Sequence, residues 1–195
     1  MVDIQSVLTL ALSIAFPVLL GFAGARFTVG SVRDWYPSLR KPSWVPPNAA
    51  FPIAWTFLYA SMGLASYRVA AVAGWLSRPL IAYYVQLAFN VAWSPLFFGA
   101  GWMDVALVVI VTMLVLVAAV VVPAFSAVDA TAGALLVPYV AFMTFASTLN
   151  TRMLMLNPTE VCWPGMTRLL TGRKGVKGAK GGKRSLPPRL SPQEL

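Results

Sequence analysis

The chain has 195 residues, of which 58% are hydrophobic and only 11% charged, with a mean hydropathy of +0.74. A soluble domain carries about 25% charged residues, so this composition excludes an ordinary soluble domain and leaves a membrane protein. The formal net charge of +9 would suit nucleic acid, but eight of the fifteen Lys and Arg residues lie beyond residue 160, so the excess belongs to a tail. Such a tail beside a membrane marks the cytosolic side or touches anionic lipid. With no histidine and one cysteine, Cys162, the chain has no means of an intrachain disulfide or of a zinc site of the usual His/Cys kind. At roughly 20 apolar residues per spanning helix, the length allows about five spans and little domain outside the membrane.

The first span covers residues 4–27, between Asp3 and Arg26, with Gly21 and Gly24 permitting close helix contact and Pro17 a bend. No cleavable signal peptide stands out, because the apolar run begins at Ile4 with no basic region ahead of it. A loop over residues 28–48 follows. Pro37, Pro42, Pro46 and Pro47 keep it from being a regular helix, and a loop of that length is often functional. Trp35 and Trp44 fit either a lid over a site or the aromatic belt at the membrane surface.

The second span covers residues 49–73. Trp55, Tyr59, Met62 and Ser66 fall on one face, a pattern that serves packing or a pocket wall equally well. The third, residues 79–98, carries Gln86, Asn90 and Ser94 at intervals of four, ahead of Pro95. Amides and a hydroxyl on one stripe are costly in lipid, so they face a cavity or bond to neighbouring helices. Ala88 and Ala92 form a small-residue pair compatible with close packing or a dimer seam. The fourth span, residues 105–122, is apolar apart from Thr112 and is expected to face lipid or to pack without chemistry. A loop through Pro123 and Asp129 leads to the fifth, residues 132–156, which Tyr139, Thr144, Ser147, Thr148 and Asn150 make the second polar helix. Residues 158–195 form a Gly/Lys-rich tail too poor in apolar residues to fold, and disorder is expected there.

Five spans put the termini on opposite sides. The side of the N-terminus holds only Arg68 and Arg78, whereas the proline-rich loop, the third connection and the tail hold the other basic residues. The excess of positive charge places that loop and the tail in the cytosol.

Four stretches carry a resemblance: WYPSLRKPSWVPP at 35–47, AWTFLYASMGLASY at 54–67, QLAFNVAWSPLFFG at 86–99 and LLVPYVAFMTFASTLN at 135–150. Together they resemble the translocator protein family, also called tryptophan-rich sensory proteins or peripheral benzodiazepine receptors, over about residues 5–157. The resemblance implies a five-helix bundle, often dimeric, with a pocket opening towards the first loop. It implies a receptor or transporter for porphyrins and haem, for cholesterol in animal members, and for benzodiazepine-type and isoquinoline carboxamide ligands. No cofactor is implied beyond tetrapyrrole as a ligand, and no catalytic group. The family sits in the outer mitochondrial membrane of eukaryotes, in secretory membranes of plants and in the bacterial cell envelope. The pocket positions it implies are Ala25, Trp55, Asn90, Trp93, Ala146 and Leu149, joined by Tyr36, Tyr59 and Ser94.

Three departures qualify that picture. Phe142 stands where the family usually has a tryptophan which, with the one matching Trp55, is linked in bacterial members to light-dependent porphyrin breakdown. The alternative function, a porphyrin-degrading enzyme using Trp55, therefore loses one of its residues here. Leu149 and Asn150 are followed by Thr151 and Arg152 rather than by the tyrosine of the animal sterol pattern, so sterol binding is less secure than tetrapyrrole binding. Any haem iron has an axial ligand other than histidine or none. A third reading makes the basic tail a docking segment for partners or anionic lipid.

Overall fold

Asp3 starts the first helix. Its carboxylate accepts hydrogen bonds from the backbone N–H groups of Gln5 and Ser6, as an N-cap does. The computed structural model describes residues 3–158 and residue 161. In it, α1 runs Ile4–Asp34, past the expected end at residue 27. Nothing between Pro17 and Pro37 removes a backbone donor, and Arg33 in the last turn suits the negative end of the helix dipole. The proline-rich connection is correspondingly shorter and begins with a 3-10 turn at Tyr36–Ser38.

Helix α2, Ala50–Ala73, starts beyond Pro46 and Pro47. It stops at Gly74, whose φ of 83° suits a residue without a side chain and whose N–H bonds back to Ala70. Helix α3, Arg78–Ser94, has Pro79 in its first turn, where a missing N–H costs nothing. It continues through a wide π turn, Pro95–Gly99, closed by the Ala100 N–H on the Pro95 carbonyl at 2.8 Å. Helix α4, Met103–Leu116, passes through a second π turn, Val117–Val121, into α5, Val122–Val128. Here the expected loop through Pro123 is replaced by helix. The widened turn sits where Pro123 leaves the Ala119 carbonyl without its regular donor, so the rod carries on to Asp129.

Asp129 is the real break. Extended at φ −151°, it caps α6, Ala130–Leu135, by accepting from Thr131 and Ala132, and it pairs with Arg68 of α2 at 2.7 Å. Helix α7, Val137–Leu156, follows with Pro138 in its first turn. These pieces make an all-α membrane bundle of five rods. Four of them, Ile4–Asp34, Arg78–Gly99, Met103–Val128 and Ala130–Leu156, are apolar and long enough to cross a bilayer. The 24 residues of α2 also reach about 36 Å, the length of a spanning helix.

Exposed Leu8, Leu12, Leu19, Phe22, Phe57 and Val115 clothe the outside with apolar surface suited to lipid. Inside lie Met62, Leu80, Met103, Phe125, Tyr139 and Met143. Helix α4 does both of the things expected of it, facing lipid and packing. Val108, Val111, Thr112 and Val115 face outward, while Asp104, Ile110 and Met113 are buried in the bundle. The expected tail beyond residue 158 lies outside the described residues, residue 161 excepted.

Helix α1 crosses α2 at Gly63, where an added Cβ would overlap the backbone of Ser13 and Ile14. Gly30, on the same α1, has open space around it. Gly63→Ala is therefore expected to lower stability by about 1–3 kcal/mol through overpacking, read as a drop in the thermal unfolding midpoint in detergent. Gly30→Ala should leave it unchanged. Equal midpoints for the two variants would rule out the close crossing.

Candidate ligand pocket

Four buried polar side chains tie three helices together in the membrane interior. Tyr59 of α2 donates its hydroxyl proton to Asn90 Oδ1 of α3 at 2.6 Å. Asn90 Nδ2 donates to the Tyr139 hydroxyl of α7 at 2.8 Å, and that hydroxyl lies 3.0 Å from Gln86 Oε1, one turn further down α3. Asn90 is 4% exposed and Gln86 1%, so in the absence of these bonds both amides would be stranded away from water. A second link runs from Trp93 Nε1 to Asn150 Oδ1 at 3.2 Å and from Asn150 Nδ2 to the Met103 carbonyl at 3.0 Å, joining α3, α7 and the start of α4.

Beside this network is a cavity of about 430 Å³, within the usual size of a small-molecule site. Its walls come from the second half of α1, the first half of α2, the ends of α3 and α7, Ile110 and Met113 of α4, and Tyr36 and Asn48 of the first connection. All of these ends meet on one side of the bundle, under the proline-rich segment. The structure places every expected wall residue, Ala25, Tyr36, Trp55, Tyr59, Asn90, Trp93, Ser94, Ala146 and Leu149, on this one cavity.

Two aromatic groups line it. Trp55 stacks on Tyr59 with ring centres 5.1 Å apart and meets Phe142 edge-on at 5.2 Å. Trp93 stacks on Phe97 at 4.9 Å and meets Phe98 edge-on at 5.8 Å. Trp35 and Trp44 do not reach the cavity; Trp35 packs on Phe97 and Trp44 on Phe145. The stripe of Gln86, Asn90 and Ser94 thus does two jobs. Gln86 and Asn90 bond across helices, and Asn90 and Ser94 also front the cavity. Because the Asn90 oxygen is already engaged, the wall offers shape and ring surface more than free polar groups.

The roof is fastened by a residue that sequence reasoning did not single out. Asn157, at the C-terminal end of α7, accepts the Arg40 N–H on Oδ1 at 2.9 Å and donates Nδ2 to the Arg40 carbonyl at 2.8 Å. Its amide pairs with a peptide as a neighbouring strand would. The only sequence signal was an Asn-Pro pair just past the last helix. At the mouth, Lys41 Nζ sits 4.4 Å from the Tyr36 ring centre, a cation held against the wall. Burial pushes the Tyr36 phenol above its ordinary value, so it stays neutral. Arg40 is exposed. Neither Arg40 nor Lys41 lines the cavity itself.

Residues 13–156 match the model of the TspO/MBR family. A tryptophan-rich sensory protein of Cereibacter sphaeroides is 43% identical over 145 residues, covering 73% of this chain and 90% of the relative. The tryptophan-rich protein TspO of Chlorobaculum tepidum is 39% identical over 163 residues, 79% of this chain and 99% of the relative. The bovine (Bos taurus) translocator protein is 43% identical over 144 residues, 70% of this chain and 83% of the relative.

Asn157→Ala removes both bonds to the Arg40 peptide while leaving the helices in place. Amide hydrogen exchange in residues 39–45 is expected to rise about tenfold, the weight of one to two backbone-type bonds, with exchange in α3 unaltered. Unchanged exchange over that segment would show that the roof is held by something else.

Proposed function

Because the chain belongs to the TspO/MBR family, we propose that its cavity is the site of a membrane receptor or transporter for flat, largely apolar ring systems, tetrapyrroles above all. One observation carries this reading: a cavity of about 430 Å³ with two tryptophan-centred walls whose amides already bond to their neighbours. Stacking surface of this kind suits a conjugated macrocycle. Sterols and benzodiazepine-type molecules share enough apolar area to compete for it. The names of the relatives, sensory protein and translocator protein, fit either detection or passage of such a ligand.

The reading includes several further points. The carboxylates of a porphyrin reach Lys41 and Arg40 at the mouth, while its ring lies against Trp55 and Trp93. The first connection and the tail face the cytosol, in a bacterial cell envelope or an outer mitochondrial membrane according to the host. The exposed outer face of α3 at Ala88 serves a homodimer. The site binds without transforming: its walls present hydroxyls, amides and rings, with Phe142 beside Trp55. No nucleic acid and no resident cofactor enter this account.

Titration of the purified protein with protoporphyrin IX, followed by tryptophan quenching, tests it. Trp55→Ala and Trp93→Ala are each expected to weaken binding about tenfold, the value of roughly 1.4 kcal/mol of lost stacking and burial. Affinity unchanged in both variants would remove the cavity from the account. Reversing the charge of Arg40 and Lys41 together should weaken porphyrin binding and spare a neutral isoquinoline carboxamide. Loss of porphyrin to a defined product on illumination, abolished in Trp55→Phe, would replace binding with catalysis.

A further inference from the structure

Three methionines line the ligand cavity, Met113 of α4 and Met143 and Met153 of α7. Each is at most 1% exposed, so a small reagent reaches them by way of the cavity. Met62 of α2 and Met103 of α4 are buried as deeply, at 0%, and stand outside its lining. A thioether packs well in an apolar core, yet it is readily oxidised, and its susceptibility follows access. The chain thus holds two groups of equally buried thioether, one with a cavity in front of it and one without.

Met113 differs from the other two in what its sulfur touches. Its Sδ lies 3.4 Å from the Tyr139 hydroxyl, within reach of a weak hydrogen bond. That hydroxyl accepts from Asn90 Nδ2 at 2.8 Å and lies 3.0 Å from Gln86 Oε1. It has one proton for two acceptors, and the amide oxygen is the better acceptor. While Met113 is a thioether, the proton therefore stays with Gln86, and the network across α2, α3 and α7 is complete.

We propose that Met113 is an oxidation site through which a peroxide unlocks this network. The sulfur gives an electron pair to one oxygen of the O–O bond, which breaks. That oxygen stays on the sulfur as a sulfoxide and passes its proton to the departing oxygen. The latter leaves as water or, from an organic hydroperoxide, as an alcohol. The added oxygen does not fit in the 3.4 Å between sulfur and hydroxyl, since an O–H···O bond alone takes about 2.7 Å. The tip of Met113 turns until the sulfoxide, a far stronger acceptor than the thioether, takes the Tyr139 proton. Gln86, 1% exposed, then loses its Tyr139 donor, and a polar group enters the apolar cavity. A thiol-linked sulfoxide reductase restores the thioether. The inference holds whichever ligand the cavity takes.

The test treats the full chain in phosphatidylcholine nanodiscs with hydrogen peroxide in one arm and cumene hydroperoxide in the other, and assigns sulfoxides by peptide mass spectrometry. Met113, Met143 and Met153 are expected to oxidise about tenfold faster than Met62 and Met103. Met155, 37% exposed, is the reference for a freely reached thioether. Oxidation of Met113 by hydrogen peroxide places the entry on the aqueous side. Oxidation by the organic hydroperoxide alone places it in the bilayer, and either supports the site. Oxidised wild type is expected to unfold about 4 °C earlier. Its amides in residues 83–90 and 136–143 should exchange about tenfold faster, the weight of a stranded buried acceptor. Met113→Leu, a change that keeps the volume, should abolish both effects, whereas Met143→Leu and Met153→Leu should retain them. Oxidation of Met113 no faster than that of Met62 and Met103 would overturn the proposal. So would a midpoint and an exchange pattern that Met113 oxidation leaves unmoved, or full peroxide sensitivity in Met113→Leu.

Discussion

The hydrogen-bonded chain from Tyr59 through Asn90 to Tyr139 and Gln86 is the constraint on which the rest of the bundle depends. Lipid gives helices no hydrophobic reason to associate, so packing and polar contacts must hold them. A typical hydrogen bond is worth about 0.5–1.5 kcal/mol net, but a stranded buried polar group costs about 1–3 kcal/mol. The network therefore fixes the register of α2, α3 and α7 mainly through the penalty of every arrangement that breaks it. It also decides the chemistry of the cavity. With the Asn90 oxygen occupied and the Asn150 amide held between Trp93 and Met103, the walls left to a ligand are mainly rings and methyl groups, with Ser94 and Asn48 among the few polar side chains beside them.

Around that network the bundle divides at the crossing of α1 over α2. Gly63 lets the two backbones meet beside Ser13, and Gly21 admits the ring of Tyr59, which an added Cβ would strike. On one side of the crossing α1 leans on aromatic residues and frames the ligand cavity under the first connection. On the other side it faces Ser66 and Tyr83. Two small residues thus set where the helices close and where they part. Asn157 completes the ligand cavity by fastening the connection at Arg40 to the end of α7.

Much of this was legible in the sequence. Composition and apolar runs sufficed for an all-α membrane bundle, and the wall residues came from the resemblance. Their shared faces were visible as the stripe Trp55–Tyr59 and the stripe Gln86–Asn90–Ser94. Periodicity could not separate a cavity from helix-to-helix bonding, since one face serves both, and Asn90 does both. The ends were less legible. Pro123 reads as a break, yet a π turn absorbs it, because the widened turn needs no regular donor at that point. The run of valines in α4 reads as lipid-facing or as bland packing and does not show that Ile110 and Met113 reach the cavity, because a uniformly apolar helix carries no mark of its inner face. Asn157 was invisible for a third reason. Its importance lies in partners that only the fold reveals.

The account makes the cavity a preformed, aromatic-walled chamber whose polar atoms serve the protein before the ligand. A structure of the full chain in lipid with protoporphyrin IX bound tests this most directly. The account predicts the macrocycle against Trp55 and Trp93, its carboxylates towards Lys41, and the Tyr59–Asn90–Tyr139 bonds intact. A macrocycle seated on the outer face of α1, or one that breaks those bonds to take Asn90 for itself, would contradict it.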